Sequence, residues 1–208
     1  MTTLQGSLFG FGSSAGPRPL APLLERRELG NGAWIELAEA WIGGADELFE
    51  RLVDAVPWRA ERRAMYDRMV DVPRLLAFYD VSEALPDVEL VRMRQALVDH
   101  YRDGFAGGRA TTGLCLYRHG RDSVAWHGDT IGRGTSRDTI VAVVSVGAPR
   151  RFLLRPRGGG ATIRHELGRG DLLVMGGSCQ YTWEHAVPKT ARPAGPRISI
   201  QYRPPGVR

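Results

Sequence analysis

The sequence predicts an α+β fold that is mainly β: a double-stranded β-helix, or jelly roll, with supporting N-terminal helices. In the N-terminal half, two segments carry apolar residues at helical spacing. After Gly107-Gly108 the chain changes to eight short apolar runs split by Gly, Pro and Asp, the signature of an antiparallel sandwich or barrel, for which the jelly roll is the natural candidate. At 208 residues, 43% hydrophobic and 25% charged, the chain suits one domain with a core of its own.

Residues 1–20 are rich in Gly, Ser and Pro and are expected to form a disordered tail, leaving 21–208 as the domain. The stretch AWIELAEAWI, residues 33–42, opens with a strand, and Gly43-Gly44 ends it. In ADELFERLVDAV, residues 45–56, Leu48, Leu52, Val53 and Val56 fall at helical spacing. Acidic residues sit in its first turn, where the helix dipole favours them, and Pro57 stops the helix. Residues 58–80 show little periodicity. They interleave Trp58, Tyr66 and Tyr79 with Arg59, Arg62, Arg63, Arg68 and Arg74. Such a stretch either stacks bases and holds phosphates or is a solvated basic loop whose aromatics return to the core. Residues 87–101 place Leu90, Met93, Leu97 and Val98 on one face of a second helix after Pro86, with His100 as a helix-end cation. Strands are expected near residues 112–118, 123–129, 139–147, 150–156, 161–167, 171–177, 181–187 and 197–203.

The net charge of +5, weighted towards arginine, favours an acidic partner such as a nucleic acid. Cys115 and Cys179 are far apart with no C-x-x-C pattern and read as cytosolic thiols, not as a zinc site or disulfide. No apolar run is long enough to span a membrane, and the N-terminus lacks the features of a secretion signal, so a cytoplasmic location is expected.

One spacing carries chemistry. His127-Gly128-Asp129 offers two ligand side chains at i and i+2, which share a face in a strand, and His185 lies on a late strand that a two-sheet fold can bring opposite. Two imidazoles and a carboxylate, with other positions open, form the ligand set of non-haem Fe(II) oxygenases. His-x-Asp alone is a common pattern among five histidines, and its surroundings decide its meaning.

Those surroundings are VPRLLAFYD, then LYRHGRDSVAWHGD with Tyr-x-x-Gly-x-Asp leading into His-x-Asp, then IVAVVSVGAPRRF and GDLLVMGGSCQYTWEHAVPK, and finally RISIQYR with paired arginines. In this order, over residues 58–203, they resemble the AlkB family of Fe(II)- and 2-oxoglutarate-dependent nucleic-acid dealkylases. The resemblance implies a bacterial member in which His127, Asp129 and His185 hold Fe(II), and 2-oxoglutarate and O2 occupy the remaining positions. Arg197 would pair with the distal carboxylate of 2-oxoglutarate, helped by Tyr117, and Arg203 would lie nearer the metal, beside Asp129. The implied reaction is oxidative demethylation of N-alkylated bases, releasing succinate, CO2 and formaldehyde. Single-stranded DNA is the expected substrate, since a base in a duplex must first be flipped out. The stretch 58–80 becomes a nucleotide-recognition lid, with Trp58, Met65, Tyr66, Arg74 and Tyr79 as its substrate-binding residues. The same chemistry on RNA, a protein or a small molecule is the alternative.

Within the tail, Gln5-Gly6-Ser7-Leu8-Phe9 resembles the Gln-x-x-Leu-Phe peptide by which bacterial repair and replication proteins dock on the sliding clamp, with Gly6 where Leu is usual. Recruitment through Gln5, Leu8 and Phe9 is therefore an expected partnership of an otherwise monomeric protein, and a clamp-recruited accessory factor is the alternative function of another class. Two departures touch the expected pocket: Cys115 and Ser199 stand where many relatives carry Asn, which predicts weaker 2-oxoglutarate binding. After the metal pair, Thr130-Ile131 replace acidic residues that help recognise a cationic alkylated base, so methylated adenine or cytosine is expected by analogy alone.

Overall fold

The computed structural model describes residues 15–65, 68–129 and 139–207. The first half of the chain forms β1 (Gly16–Pro17), β2 (Glu25–Gly30), β3 (Ala33–Ala38), β4 (Ile42–Gly43), α1 (Ala45–Ala55), β5 (Arg59–Met65), β6 (Arg68–Tyr79) and α2 (Val88–His100). After a 3-10 turn at Ala106–Gly108 come β7 (Thr111–Tyr117), β8 (Val124–His127), β9 (Val141–Gly147), β10 (Arg150–Pro156), β11 (Ile163–Leu167) and β12 (Asp171–Gly177). A single-turn helix, α3 (Cys179–Thr182), precedes β13 (Trp183–Val187) and β14 (Arg197–Arg203).

Eight strands form one sheet in the order β2-β3-β12-β9-β14-β7-β6-β5, and four form a second in the order β11-β10-β13-β8; all pairings are antiparallel. From β7 onward the chain alternates between the two, with β7, β9, β12 and β14 in the large sheet and β8, β10, β11 and β13 in the small one. This alternation lays one sheet over the other as the expected jelly roll does, and all eight expected C-terminal strands are present.

β14 shows how the sequence sorts the two faces. Its period of two sends Ile198, Ile200 and Tyr202 one way and Arg197, Ser199, Gln201 and Arg203 the other. The apolar face packs on the helices, where Leu48 and Leu52 of α1 and Leu90, Met93 and Leu97 of α2 are fully buried as their spacing predicts. Each such side chain contributes roughly 1.5–3 kcal/mol through area removed from water. The Tyr202 hydroxyl adds a bond to the Leu90 carbonyl at 2.9 Å. Asp87 caps α2 by accepting from the Glu89 N–H at 2.8 Å and ties it to α1 by accepting from Arg51 Nε at 2.7 Å. The opposite face meets the small sheet through Val141, Val143, Leu173, Met175, Phe152 and Leu154. Where polar residues replace these apolar ones, the space between the sheets becomes the site.

The structure departs from or adds to the sequence reading in three places. The tail drawn to residue 20 ends earlier: Gly16–Pro17 pair with Ile42–Gly43, Trp41 Nε1 donates to the Arg18 carbonyl at 2.7 Å, and Leu20 is buried. Residues 1–14, with the Gln5, Leu8 and Phe9 peptide, lie outside the described residues. The stretch 58–80, which shows little periodicity in sequence, is a β5–β6 hairpin that extends the large sheet to its edge. Its helix-side residues Leu75, Ala77 and Tyr79 do alternate, but charged residues on the outer strand mask the period. At the other edge, β2 was missed because Glu25–Gly30 is charged and largely exposed; edge strands are protected from further pairing by such charge. The Gly30-Asn31-Gly32 turn that joins it to β3, with φ of 87°, 54° and 76°, was the available signal.

Candidate active site

His185 on β13 and His127 on β8 are direct register partners, and their ring centroids lie 4.2 Å apart. The pairing is bulged: Ala125 and Trp126 together face Ala186, so β8 carries one extra residue just before His127. The bulge places the Ala125 carbonyl 2.9 Å from His127 Nδ1, which donates to it and leaves Nε2 as the lone-pair nitrogen. Phe152 stacks on His185 at 5.3 Å and 17°, fixing the second ring. Asp129 completes the group. One ligand atom from each of the three residues lies within 4.8 Å of the others, and His127 Nε2 is 3.8 Å from Asp129 Oδ1.

Asp129 does not share a strand with His127, as the i, i+2 argument supposed, because β8 ends at His127. The short helix α3 instead holds the chain beyond the strand. Gln180, 1% exposed, accepts the Asp129 N–H through Oε1 at 2.9 Å, and the Gln180 carbonyl presses so close to Gly128 that a Cβ there would lie 2.4 Å from it. Gly128 is therefore required by close approach. Arg203 Nε donates to Asp129 Oδ2 at 3.0 Å from the end of β14. Burial alone would push the Asp129 carboxyl up, but Arg203, His185 and His127 outweigh it and hold the group well below the ordinary carboxylate range. Its carboxylate is thus ionised and ready to ligate.

At the other end of β14, Arg197 is fully buried. Its Nη2 donates to Ser145 Oγ at 2.5 Å, while Nε and Nη1 have no hydrogen-bond partner among the described residues. Tyr117 lies beside it, with Arg197 Cζ 5.3 Å from the ring centroid, and burial pushes the phenol up to about 12. A neighbouring guanidinium, Arg150, is spent on the carbonyls of His119, Asp122 and Pro188. A buried cation with N–H groups lacking a protein partner is unfavourable by itself and suits an anion bound beside it.

The sequence model of the 2OG-Fe(II) oxygenase superfamily matches residues 43–203. The chain belongs to that superfamily. It is 32% identical over 178 residues to "Alpha-ketoglutarate-dependent dioxygenase alkB homolog 3" of Bos taurus, a match covering 76% of this chain and 61% of the relative. It is 25% identical over 184 residues to "DNA oxidative demethylase ALKBH2" of Bos taurus, covering 76% and 64%. The chain thus spans about three-fifths of these relatives' length. The solved structure of OsALKBH1 superposes with a TM-score of 0.57 at 13% identity, over 86% of this chain and all of that one, which supports the fold. The resemblance to the AlkB family is borne out.

For this member of the 2OG-Fe(II) oxygenase superfamily, His127, Asp129 and His185 fit a metal ion, and the buried Arg197 is chemically suited to an anion. When bound, Fe(II) would activate O2, the oxidant, with 2-oxoglutarate supplying two of the electrons that reduce it; the chain would supply the ligands and exclude water. Of the five lid residues, Tyr66 and the side chain of Met65 lie outside the described residues, as do Thr130 and Ile131. Trp58 and Tyr79 pack on the helix-side core, Trp58 donating from Nε1 to the Val53 carbonyl at 3.1 Å, so neither faces the site. Arg74 does face it, but beside Cys115 and Tyr117 at the cosubstrate end, with Nη1 donating to the Ser123 carbonyl at 3.1 Å. The sequence reading missed Gln180, Ser145 and Gln201. Gln180 precedes the His185 strand by one short helix, and the even positions of β9 and β14 relative to the arginines would have pointed to the other two.

Proposed function

We propose that the chain catalyses Fe(II)- and 2-oxoglutarate-dependent oxidative demethylation of N-alkylated bases, with single-stranded DNA as preferred substrate. The observation that carries the chemistry is the pairing of the His127, Asp129 and His185 group with a buried Arg197 cation, two of whose N–H groups have no partner among the described residues. Relatives named as an AlkB homologue and a DNA oxidative demethylase support nucleic acid as the substrate class. So does the β5–β6 hairpin, whose exposed Arg59 and Arg62 form a cationic edge one strand removed from β7, which carries Cys115 and Tyr117. Arg59 pairs with Leu76, which pairs with Cys115, so the edge runs level with the pocket. No helix among the described residues is long and apolar enough to cross a membrane.

The test is a panel of methylated single- and double-stranded DNA and RNA with Fe(II) and 2-oxoglutarate, scoring restored base, formaldehyde and succinate. Restored base with matching formaldehyde, fastest on single-stranded DNA, is expected. Succinate without restored base on any nucleic acid would move the substrate to a protein or small molecule. Recruitment to a sliding clamp is supported by the Gln5, Leu8 and Phe9 pattern alone. Replacing Leu8 and Phe9 by Ala should abolish clamp binding and leave demethylation of free oligonucleotides unchanged; unchanged clamp affinity would refute the recruitment.

A further inference from the structure

Between Arg197 and Arg203, the site face of β14 carries Ser199 and Gln201, 4% and 7% exposed. Strand register sets Ser199 beside Cys115 of β7 and Ser145 of β9, and sets Gln201 beside Gly113 and Val143. One amide joins this group. Gln201 Nε2 donates to Ser199 Oγ at 2.6 Å and to the Ser199 carbonyl at 2.9 Å, while Gln201 Oε1 accepts from the Cys115 thiol at 3.7 Å. Gly113 makes room for it, since a Cβ there would lie 3.1 Å from both Gln201 Oε1 and Arg203 Nη1.

We infer that Gln201 is a positioning residue for 2-oxoglutarate, replacing through a single amide the two amides that Cys115 and Ser199 remove. A hydroxyl that accepts a short bond from an amide keeps its own hydrogen for another acceptor. Gln201 therefore turns Ser199 into a donor on the wall between Arg197 and the metal ligands, and its oxygen engages the Cys115 thiol that would otherwise face the same wall. Polar groups buried on that wall need such fixed partners, because a misdirected hydroxyl in a dry pocket would oppose a carboxylate instead of binding it. The weaker cosubstrate binding expected from the two replacements is, on this inference, offset by a residue that stands between the two arginines of RISIQYR. The inference rests on Arg197 anchoring the cosubstrate and is independent of which nucleic acid is the substrate.

The experiment is calorimetric titration of 2-oxoglutarate into the full chain loaded with Mn(II), which binds without turnover. Gln201→Met should weaken 2-oxoglutarate binding about tenfold, as for loss of one hydrogen bond to a charged group, with Mn(II) affinity and melting temperature unchanged. Ser199→Ala should weaken it by a similar factor. The double variant should bind no more weakly than either single one, because both break the same relay. Native affinity in Gln201→Met, or multiplied losses in the double variant, would overturn the inference. If Gln201→Met loses Mn(II) as well, Ser199→Ala decides alone, and native affinity there overturns it. Arg197→Met separates the levels: unchanged binding in that variant removes the anchor itself, whereas lost binding there with native affinity in Gln201→Met removes only the role of Gln201.

Discussion

Gly128 is the smallest residue in the ligand group and the one with least freedom. Any side chain there meets the Gln180 carbonyl, which is backbone and cannot swing away. Gly128→Ala should therefore separate α3 from the ligand loop, lowering stability by about 1–3 kcal/mol and weakening Mn(II) binding; native metal affinity would show that the loop moves without harm. Asp122 illustrates a charge fixed for structure. It is buried, accepts from the Arg118 backbone N–H and Nε at 2.8 Å and from Nη2 at 3.0 Å, and lies 3.7 Å from His119 Nδ1. Burial pushes its carboxyl up, but the bonds from Arg118 outweigh this and the group sits below its ordinary value. A depressed carboxylate stabilises the fold above its unfolded value, near 4, and loses that contribution as pH falls through the folded value. Asp122→Asn should thus destabilise by about 1–3 kcal/mol at neutral pH, and urea melts of the two proteins should converge in acid. A gap that stays constant down to acid pH would refute the assignment.

At the scale of elements, the two ends of β14 differ: Arg203 holds Asp129, and Arg197, on the proposed function, is the anion anchor. One strand thereby sets the span between anchor and metal, and its neighbours β7 and β9 supply Tyr117 and Ser145 by register. On the proposed function, the β5–β6 hairpin is the element that bears on substrate class. Arg62 pairs with Asp71 at 3.2 Å, but both side chains are well exposed, so the pair contributes little and leaves the arginine available to phosphate. Replacing Arg59 and Arg62 by Gln should weaken single-stranded DNA binding at every sequence. It should also lower the slope of log affinity against log salt by about one for each phosphate that is no longer neutralised. An unchanged slope would place the nucleic acid elsewhere.

For the whole molecule, the ligands come from the small sheet and its connections while the anion anchor comes from the large one, so a loaded site links both sheets. Binding to the folded state alone should add about 2.7 kcal/mol at a hundredfold excess over Kd. That corresponds to a rise of about 5–10 °C in Tm with Mn(II) and 2-oxoglutarate. His185→Ala should remove most of the rise, and chelation should reverse it in the native chain. A full rise in His185→Ala would disprove the ligand assignment.

Much of this was legible in the chain itself. Period two in RISIQYR sorted the two faces of its strand, period 3.6 in the helices named Leu48, Leu52, Leu90, Met93 and Leu97 as buried, and the order of motifs named the three side chains that the fold gathers, His127, Asp129 and His185. These are local properties: a residue's face follows from its position in its own strand or helix, whatever lies opposite. Tertiary structure alone decided the rest. That Gln180 backs Asp129, that Gln201 bridges Ser199 and Cys115, and that Trp58 and Tyr79 turn to the core while Arg74 turns to the pocket depend on which strand lies next to which and in what register. Hydrogen bonds spanning 51 residues for Asp129 and Gln180 and 86 for Cys115 and Gln201 leave no periodic trace in sequence. They arise only when two sheets close on each other.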